Sequence, residues 1–257
     1  MVREPEQPRN RGTSGRPRVL PSRLDGYTDV QAMQPEPAIL YSDNHLLVVD
    51  KPHRWLVQGD RTGDPSLLDW GREWIRRTAN KPGNVYLGLV HRLDRPAAGV
   101  VVFARTSKAA ARLSAAFRDR NVFKQYRVLV EQPPPTAEGR LEHWIQPARG
   151  VKNSRVFEHP ADRAQHAALT FRTVGRFGPY TELDIELETG RKHQIRAQLA
   201  HIGSPIVGDR RYGASQPYAH GAIALRAQRL TLPHPTRKEQ VSWESQLQWA
   251  TPAKQDW

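Results

Sequence analysis

The 257-residue chain contains no cysteine. Disulfides, thiolate nucleophiles and cysteine-based zinc sites are therefore excluded. No apolar run is long enough to span a bilayer, and the N-terminal residues lack the apolar core of a signal peptide. The cytoplasm is the expected compartment, with no membrane partner. The chain also lacks a glycine-rich dinucleotide fingerprint and a phosphate-binding loop. Gly12-Thr13-Ser14-Gly15 has neither the spacing nor the strand–turn–helix setting of a serine-hydrolase elbow. The ten histidines are scattered. His193 and His201 miss the i, i+4 spacing of metal ligands, and no carboxylate cluster joins them, so no metal is expected. Acidic residues are in deficit, with 26 Asp and Glu against 39 Lys and Arg, for a net charge of +13. That balance suits a polyanion, with nucleic acid first and an anionic membrane second.

Residues 1–36 are rich in Pro, Arg, Gly and Gln and have almost no apolar periodicity. They read as a disordered basic arm. A single folded domain is expected over 37–250. Ala38–Tyr41 and His45–Val49 form a hairpin pattern around Ser42-Asp43-Asn44. A helix is expected from Ser66 to about Arg77, with Leu67, Trp70 and Trp74 on one stripe. A second should run from Thr106 or Ser107 to about Arg120. Strands are expected at Val122–Val130, Leu141–Ile145, Ala167–Val174, Thr181–Thr189 and Ile223–Leu232. The basic stretch 148–165 between them reads as irregular.

The centre of the pattern is Leu87–Arg105. Two apolar runs flank a polar turn holding His91, Arg92, Asp94 and Arg95, then Pro96 and Gly99. A lone carboxylate among cations should stay ionised. That suits a nucleophile or an electrostatic stabiliser better than a general acid, and it equally suits a structural Asp that caps the turn. On the strand that follows, Tyr126 stands among valines. A buried tyrosine needs a partner for its hydroxyl, so this one either packs in the core or points into a polar cleft.

A second cluster follows Thr189. Ile195, Leu199 and Ile202 recur at helical spacing, and Gly203-Ser204-Pro205 closes the helix. The first helical turn then carries Arg191, Lys192 and His193, with Arg196 one turn on. Cations are disfavoured at a helix N-terminus. Their presence there points to a bound anion or a carboxylate partner.

Taken together, these motifs resemble the RluA-type pseudouridine synthases. His91-Arg92-Leu93-Asp94 with Gly99 is similar to the family's first signature, and Lys124-Gln125-Tyr126 to its second. Gly190–Arg196, continuing through Asp209 to Tyr212-Gly213, is similar to its third. Leu225 with Ala227, then His234-Pro235, is similar to its last strand. The resemblance implies an α+β fold, with a mixed, mainly antiparallel bent sheet, flanking helices and a central catalytic cleft. It implies isomerisation of uridine to pseudouridine in rRNA or tRNA, without a cofactor, by a monomer. Asp94 would be the nucleophile, Arg196 its ion-pair partner, and Tyr126 the residue that stacks on the base and assists proton removal. Leu225 would pack against the base, and Arg92 would fill the gap that the flipped base leaves. Substrate contacts would extend to His91, Arg191, Lys192, His193 and Gln194. The chain departs from the family pattern at Ala97-Ala98, where a hydroxyl pair is usual, and at Arg226, where His is usual. A catalytically silent RNA-binding or ribosome-assembly factor with the same fold is the other implied reading.

Overall fold

The structure, a computed structural model, describes residues 35–80, 83–147 and 153–250. Nearly all of the expected basic arm, 1–36, and part of the 148–165 stretch lie outside these residues. Eleven strands and three helices are present among the described residues. The strands are β1 (Ala38–Ser42), β2 (Leu46–Lys51), β3 (Gly88–Leu89), β4 (Ala98–Ala104), β5 (Phe123–Val130) and β6 (Glu138–Gln146). They continue as β7 (Arg155–Phe157), β8 (Gln165–Phe177), β9 (Tyr180–Leu187), β10 (Leu225–Pro233) and β11 (Gln240–Glu244). The helices are α1 (Leu67–Thr78), α2 (Ser107–Arg118) and α3 (Gln194–His201).

All strands join one sheet in the order β1-β2-β4-β10-β5-β9-β8-β6-β7, with β11 on β10 and β3 on β4. Every pairing is antiparallel except β10 with β4. The mixed, mainly antiparallel α+β expectation therefore holds.

Strands β2 and β4 are buried along their whole length, which explains their continuous apolar sequence. On one face, Leu46, Val48, Val100 and Val102 pack with Leu113 of α2. On the other, α1 approaches so closely that a Cβ on Gly71 would meet Leu47 at 3.1 Å. Both helices start where capping chemistry places them. Ser66 and Thr106 accept from the backbone of Asp69 and Ala109, three residues on.

Three features differ from the sequence expectation. Strand β7 falls inside the stretch read as irregular, and β11 was not anticipated. The third difference concerns α3, which begins at Gln194, so Arg191, Lys192 and His193 form the turn before it. His193 is its N-cap, in a left-handed conformation with φ 57°. The Gln194 side chain fixes this start. Its Oε1 accepts from Thr189 Oγ1 at 2.7 Å and from Arg191 N at 3.0 Å, and its Nε2 donates to Ala168 O at 3.0 Å. The helix thus opens on a buried amide that ties it to β8 and the end of β9.

Candidate active site

Asp94 sits in the turn between β3 and β4, where two strands and a helix terminus meet. Gly99, the second residue of β4 and at φ +115°, lets β4 lie against β10 just past that turn, because a Cβ there would lie 2.3 Å from Ala227 O. Lys51, the last residue of β2, lies beneath the turn with no solvent exposure. Its Nζ donates to the carbonyls of Pro52, Arg95 and Ala97 at 3.1, 3.1 and 2.6 Å. The turn is therefore held through its backbone. Ala97 and Ala98 are fully buried, and no side-chain hydroxyl is needed where the family pattern has one.

The Asp94 carboxylate is about one-fifth exposed, and its Oδ2 accepts from Arg196 Nη1 at 3.0 Å. Arg196 is anchored from behind by Asp209, with Nε to Oδ2 at 2.7 Å and Nη2 to Oδ1 at 2.9 Å. Asp209 is itself buried. Two carboxylates raise the Arg196 pKa against the opposing effect of burial. The guanidinium sits in the first turn of α3, where the dipole is unfavourable. The expected carboxylate partner is therefore present, in duplicate. The bidentate pair with Asp209 fixes the plane of the guanidinium and leaves one N–H edge for Asp94.

The other expected site residues divide into two groups. Tyr126 and Leu225 line the same narrow pocket as Asp94, Arg196 and Arg191. Burial and the Asp94 charge push the Tyr126 phenol above its ordinary pKa. That shift favours the neutral hydroxyl over the phenolate. Arg92 and Lys192 are exposed at the rim, and neither makes an ion pair among the described residues. Arg191 donates through Nε to His166 O at 2.9 Å.

Three residues expected to meet substrate line the cleft and are also held by contacts within the protein. His91 Nε2 accepts from Val102 N at 2.9 Å, and its ring stacks on Phe117 with centroids 4.7 Å apart. Burial lowers its pKa to about 4, so it is neutral. The His193 side chain is buried, with Nδ1 3.0 Å from Tyr212 OH and Nε2 3.7 Å from Asp94 Oδ2. Burial, more than Asp94 can offset, brings its pKa to about 4. The neutral ring lines the pocket and both grooves beside Asp94. Gln194 has its amide committed to Thr189, Arg191 and Ala168, as described above.

Lys51 and Asp209 were not singled out by sequence. A lysine closing the wholly buried strand LLVVDK before proline was the available signal for the first. Asp209 lies within the third family motif, but nothing in the sequence marks it as the partner of Arg196.

The pocket holds about 80 Å³ and opens on both sides into wider grooves of about 640 and 570 Å³. Arg92, Asp94 and His193 line all three. Arg95, Lys192 and Arg211 lie along one groove, and Arg118, Arg120, Lys124 and Arg191 along the other. The carboxylate, its guanidinium anchor and the aromatic wall are all supplied by side chains of this chain.

A fixed carboxylate at the floor of a basic cleft suits an enzyme that acts on a polyanion, and comparison with known proteins narrows the class. The family model described as RNA pseudouridylate synthase matches residues 45–201. The chain is 33% identical over 256 residues to ribosomal large subunit pseudouridine synthase D of Pseudomonas aeruginosa, covering 94% of this chain and 78% of that protein. It is 34% identical over 224 residues to the protein of the same name from Yersinia pestis, covering 81% of this chain and 66% of that one. Among solved structures, human RNA pseudouridylate synthase domain containing 4 shares the fold, with a TM-score of 0.68 at 24% identity over 82% of this chain and 88% of that one. The chain belongs to the RNA pseudouridylate synthase family. Among the described residues no helix is long and apolar enough to cross a membrane.

Proposed function

We propose that the protein converts uridine to pseudouridine in large-subunit ribosomal RNA, with Asp94 as the nucleophile. The observation that carries this reading is the Asp94 carboxylate held by a buried, doubly anchored Arg196 at the floor of a basic double groove. The choice of RNA rests on the names of the relatives, which are ribosomal large subunit enzymes.

Uridine and pseudouridine are isomers. The N1–C1′ bond breaks, a C5–C1′ bond forms, the C5 proton leaves and N1 regains a proton. No atom is added from outside and no electron is transferred, so the atom balance requires neither cofactor nor metal. A uridine in folded RNA must first be flipped out, at a cost of a few kcal/mol. Phosphate contacts along the grooves offset that cost. In this account Arg92 enters the vacated space, while Arg191 and Lys192 hold the backbone. Tyr126 and Leu225 form the walls against the base, with the phenol acting as a hydrogen-bond donor. Asp94 attacks C1′, displacing N1 and later being displaced by C5, or adds at C6 and is eliminated once the C5–C1′ bond has formed; Arg196 holds it in line. Residues 37–250 form the catalytic domain, and the 1–36 arm adds electrostatic grip. The protein acts as a cytoplasmic monomer.

The test is tritium release from [5-³H]uridine-labelled ribosomal RNA in chelating buffer, with pseudouridine mapping in cells with and without the gene. Release without added metal, and loss of a mapped large-subunit pseudouridine with the gene, are expected. Tight RNA binding with no release on any cellular RNA would favour a silent assembly factor. A lost site in tRNA alone would move the substrate.

A further inference from the structure

Outside the cleft, a second constellation joins three elements that are far apart in sequence. His143 lies on β6, Glu158 directly follows β7, and His201 is the last residue of α3. His201 Nε2 is 2.6 Å from Glu158 Oε1, and His143 Nε2 is 3.7 Å from the same oxygen. The two imidazoles meet edge to face with centroids 5.1 Å apart. One donor atom from each residue lies within 4.8 Å of the other two. None of the three lines the Asp94 pocket or its grooves.

We propose that His143, Glu158 and His201 form a binding site for a zinc-class divalent ion, which pins the C-terminal end of α3 to the β6–β7 edge of the sheet. Two imidazoles and a carboxylate, with water in a fourth position, are a donor set that such ions take in tetrahedral geometry. Donors about 2 Å from a tetrahedral ion stand roughly 3.3 Å apart, so the present spread closes by about an ångström or less at each residue. Glu158 and His201 are 63% and 35% exposed in their side chains and can make that adjustment.

An independent observation lies behind His143. Metal-binding histidines donate their second ring N–H to a fixed acceptor. Gln198, fully buried on α3, places its amide 2.9 Å from His143 Nδ1. Its Nε2 is shared among that nitrogen and two carbonyls at 3.3 Å, Leu141 O and Ala167 O, while its Oε1 has no partner. Turning this amide about its last bond presents Oε1 to an Nδ1–H, at the expense of two long contacts, and frees Nε2 of His143 for the ion. The sequence gives no hint of the site, because 43 and 58 residues separate its members from His201.

The test uses the full chain, stripped with chelator and titrated at neutral pH with Zn²⁺ by calorimetry and with Co²⁺ by visible absorption. One equivalent should bind with micromolar or tighter Kd, and Co²⁺ should give the intense d–d band of a four-coordinate ion. At a hundred times Kd, Zn²⁺ should shift the unfolding equilibrium about 100-fold toward the folded state. Glu158→Gln and His201→Gln change exposed side chains and leave the fold intact. Each should weaken binding about ten-fold or more. Absence of the Co²⁺ band, or Zn²⁺ binding that either variant leaves unchanged, overturns the assignment.

Discussion

The floor and the rim of the cleft carry the same kind of charge and use it in opposite ways. On the floor, Lys51 and Arg196 are almost fully buried, and every contact described for them goes to protein. Lys51 binds three carbonyls, and Arg196 binds two carboxylates. At the rim, Arg92 and Lys192 are exposed and make no ion pair among the described residues. The difference lies in what each cation's N–H groups face. Buried donors that are fully matched fix geometry, and removing one partner leaves an uncompensated charge. Exposed donors retain their capacity for phosphate. A net charge of +13 therefore measures two functions that must be separated residue by residue.

The comparison breaks most severely at Asp209. Asp209→Asn leaves Arg196 with half its buried charge compensation. We expect a loss of about 3–5 kcal/mol in urea unfolding, together with a large drop in turnover. A variant as stable as wild type would mean that the guanidinium needs no anchor.

Lys51→Met should cost about 3 kcal/mol, because three backbone carbonyls lose their donor. Burial lowers the Lys51 pKa from 10.5 to about 7, against the pull of Asp94. Between those values the unfolded chain binds the proton and the folded one releases it. Stability contributed by Lys51 therefore rises with pH across that window, by at most about 1.4 kcal/mol per pH unit. Below about pH 7 both states hold the proton and the slope vanishes. A wild-type minus variant difference that shrinks from pH 7 to 10 would refute this.

At the rim, Lys192→Ala should leave stability within about 0.5 kcal/mol. It should weaken RNA binding at low salt and reduce the slope of log K against log salt by about one. An unchanged slope would remove Lys192 from the phosphate track. Trimming residues 1–36 should lower affinity in the same way and spare turnover at saturating RNA. The smallest effect belongs to Tyr126→Phe. The ring is kept and only the hydroxyl is lost, so turnover should fall only a few-fold in the tritium-release assay. A collapse of turnover would mark it as an acid–base group.

This division also decides what could be read from sequence. The rim was visible as composition and clustering, and Asp94 was visible as a lone acid in a framed turn. The partnership of Asp94 with Arg196 came through family resemblance, and the geometry bears it out. What stayed hidden depends on contacts across the sheet. Lys51 looks like the end of a strand until the Asp94 turn is laid over it. Gln194 looks like a polar residue on a basic helix until its amide is seen to set the helix start, which moves Arg191–His193 out of the helix. The burial of the His91 and His193 rings, which lowers the pKa of both, is not written locally. Strand β7 is three residues long, too short for any alternation to show. Ala97-Ala98 departs from the family pattern, and Lys51 holds the turn there through the Arg95 and Ala97 carbonyls.

The central claim is that the floor holds Asp94 as a reacting group and the rim holds RNA. Asp94→Asn tests both halves at once, because it keeps the size and removes the carboxylate. The measurement is tritium release from [5-³H]uridine ribosomal RNA beside a filter-binding curve for the same preparation. The account predicts RNA affinity equal to wild type or slightly tighter, with release below detection. Retained release in Asp94→Asn would contradict it.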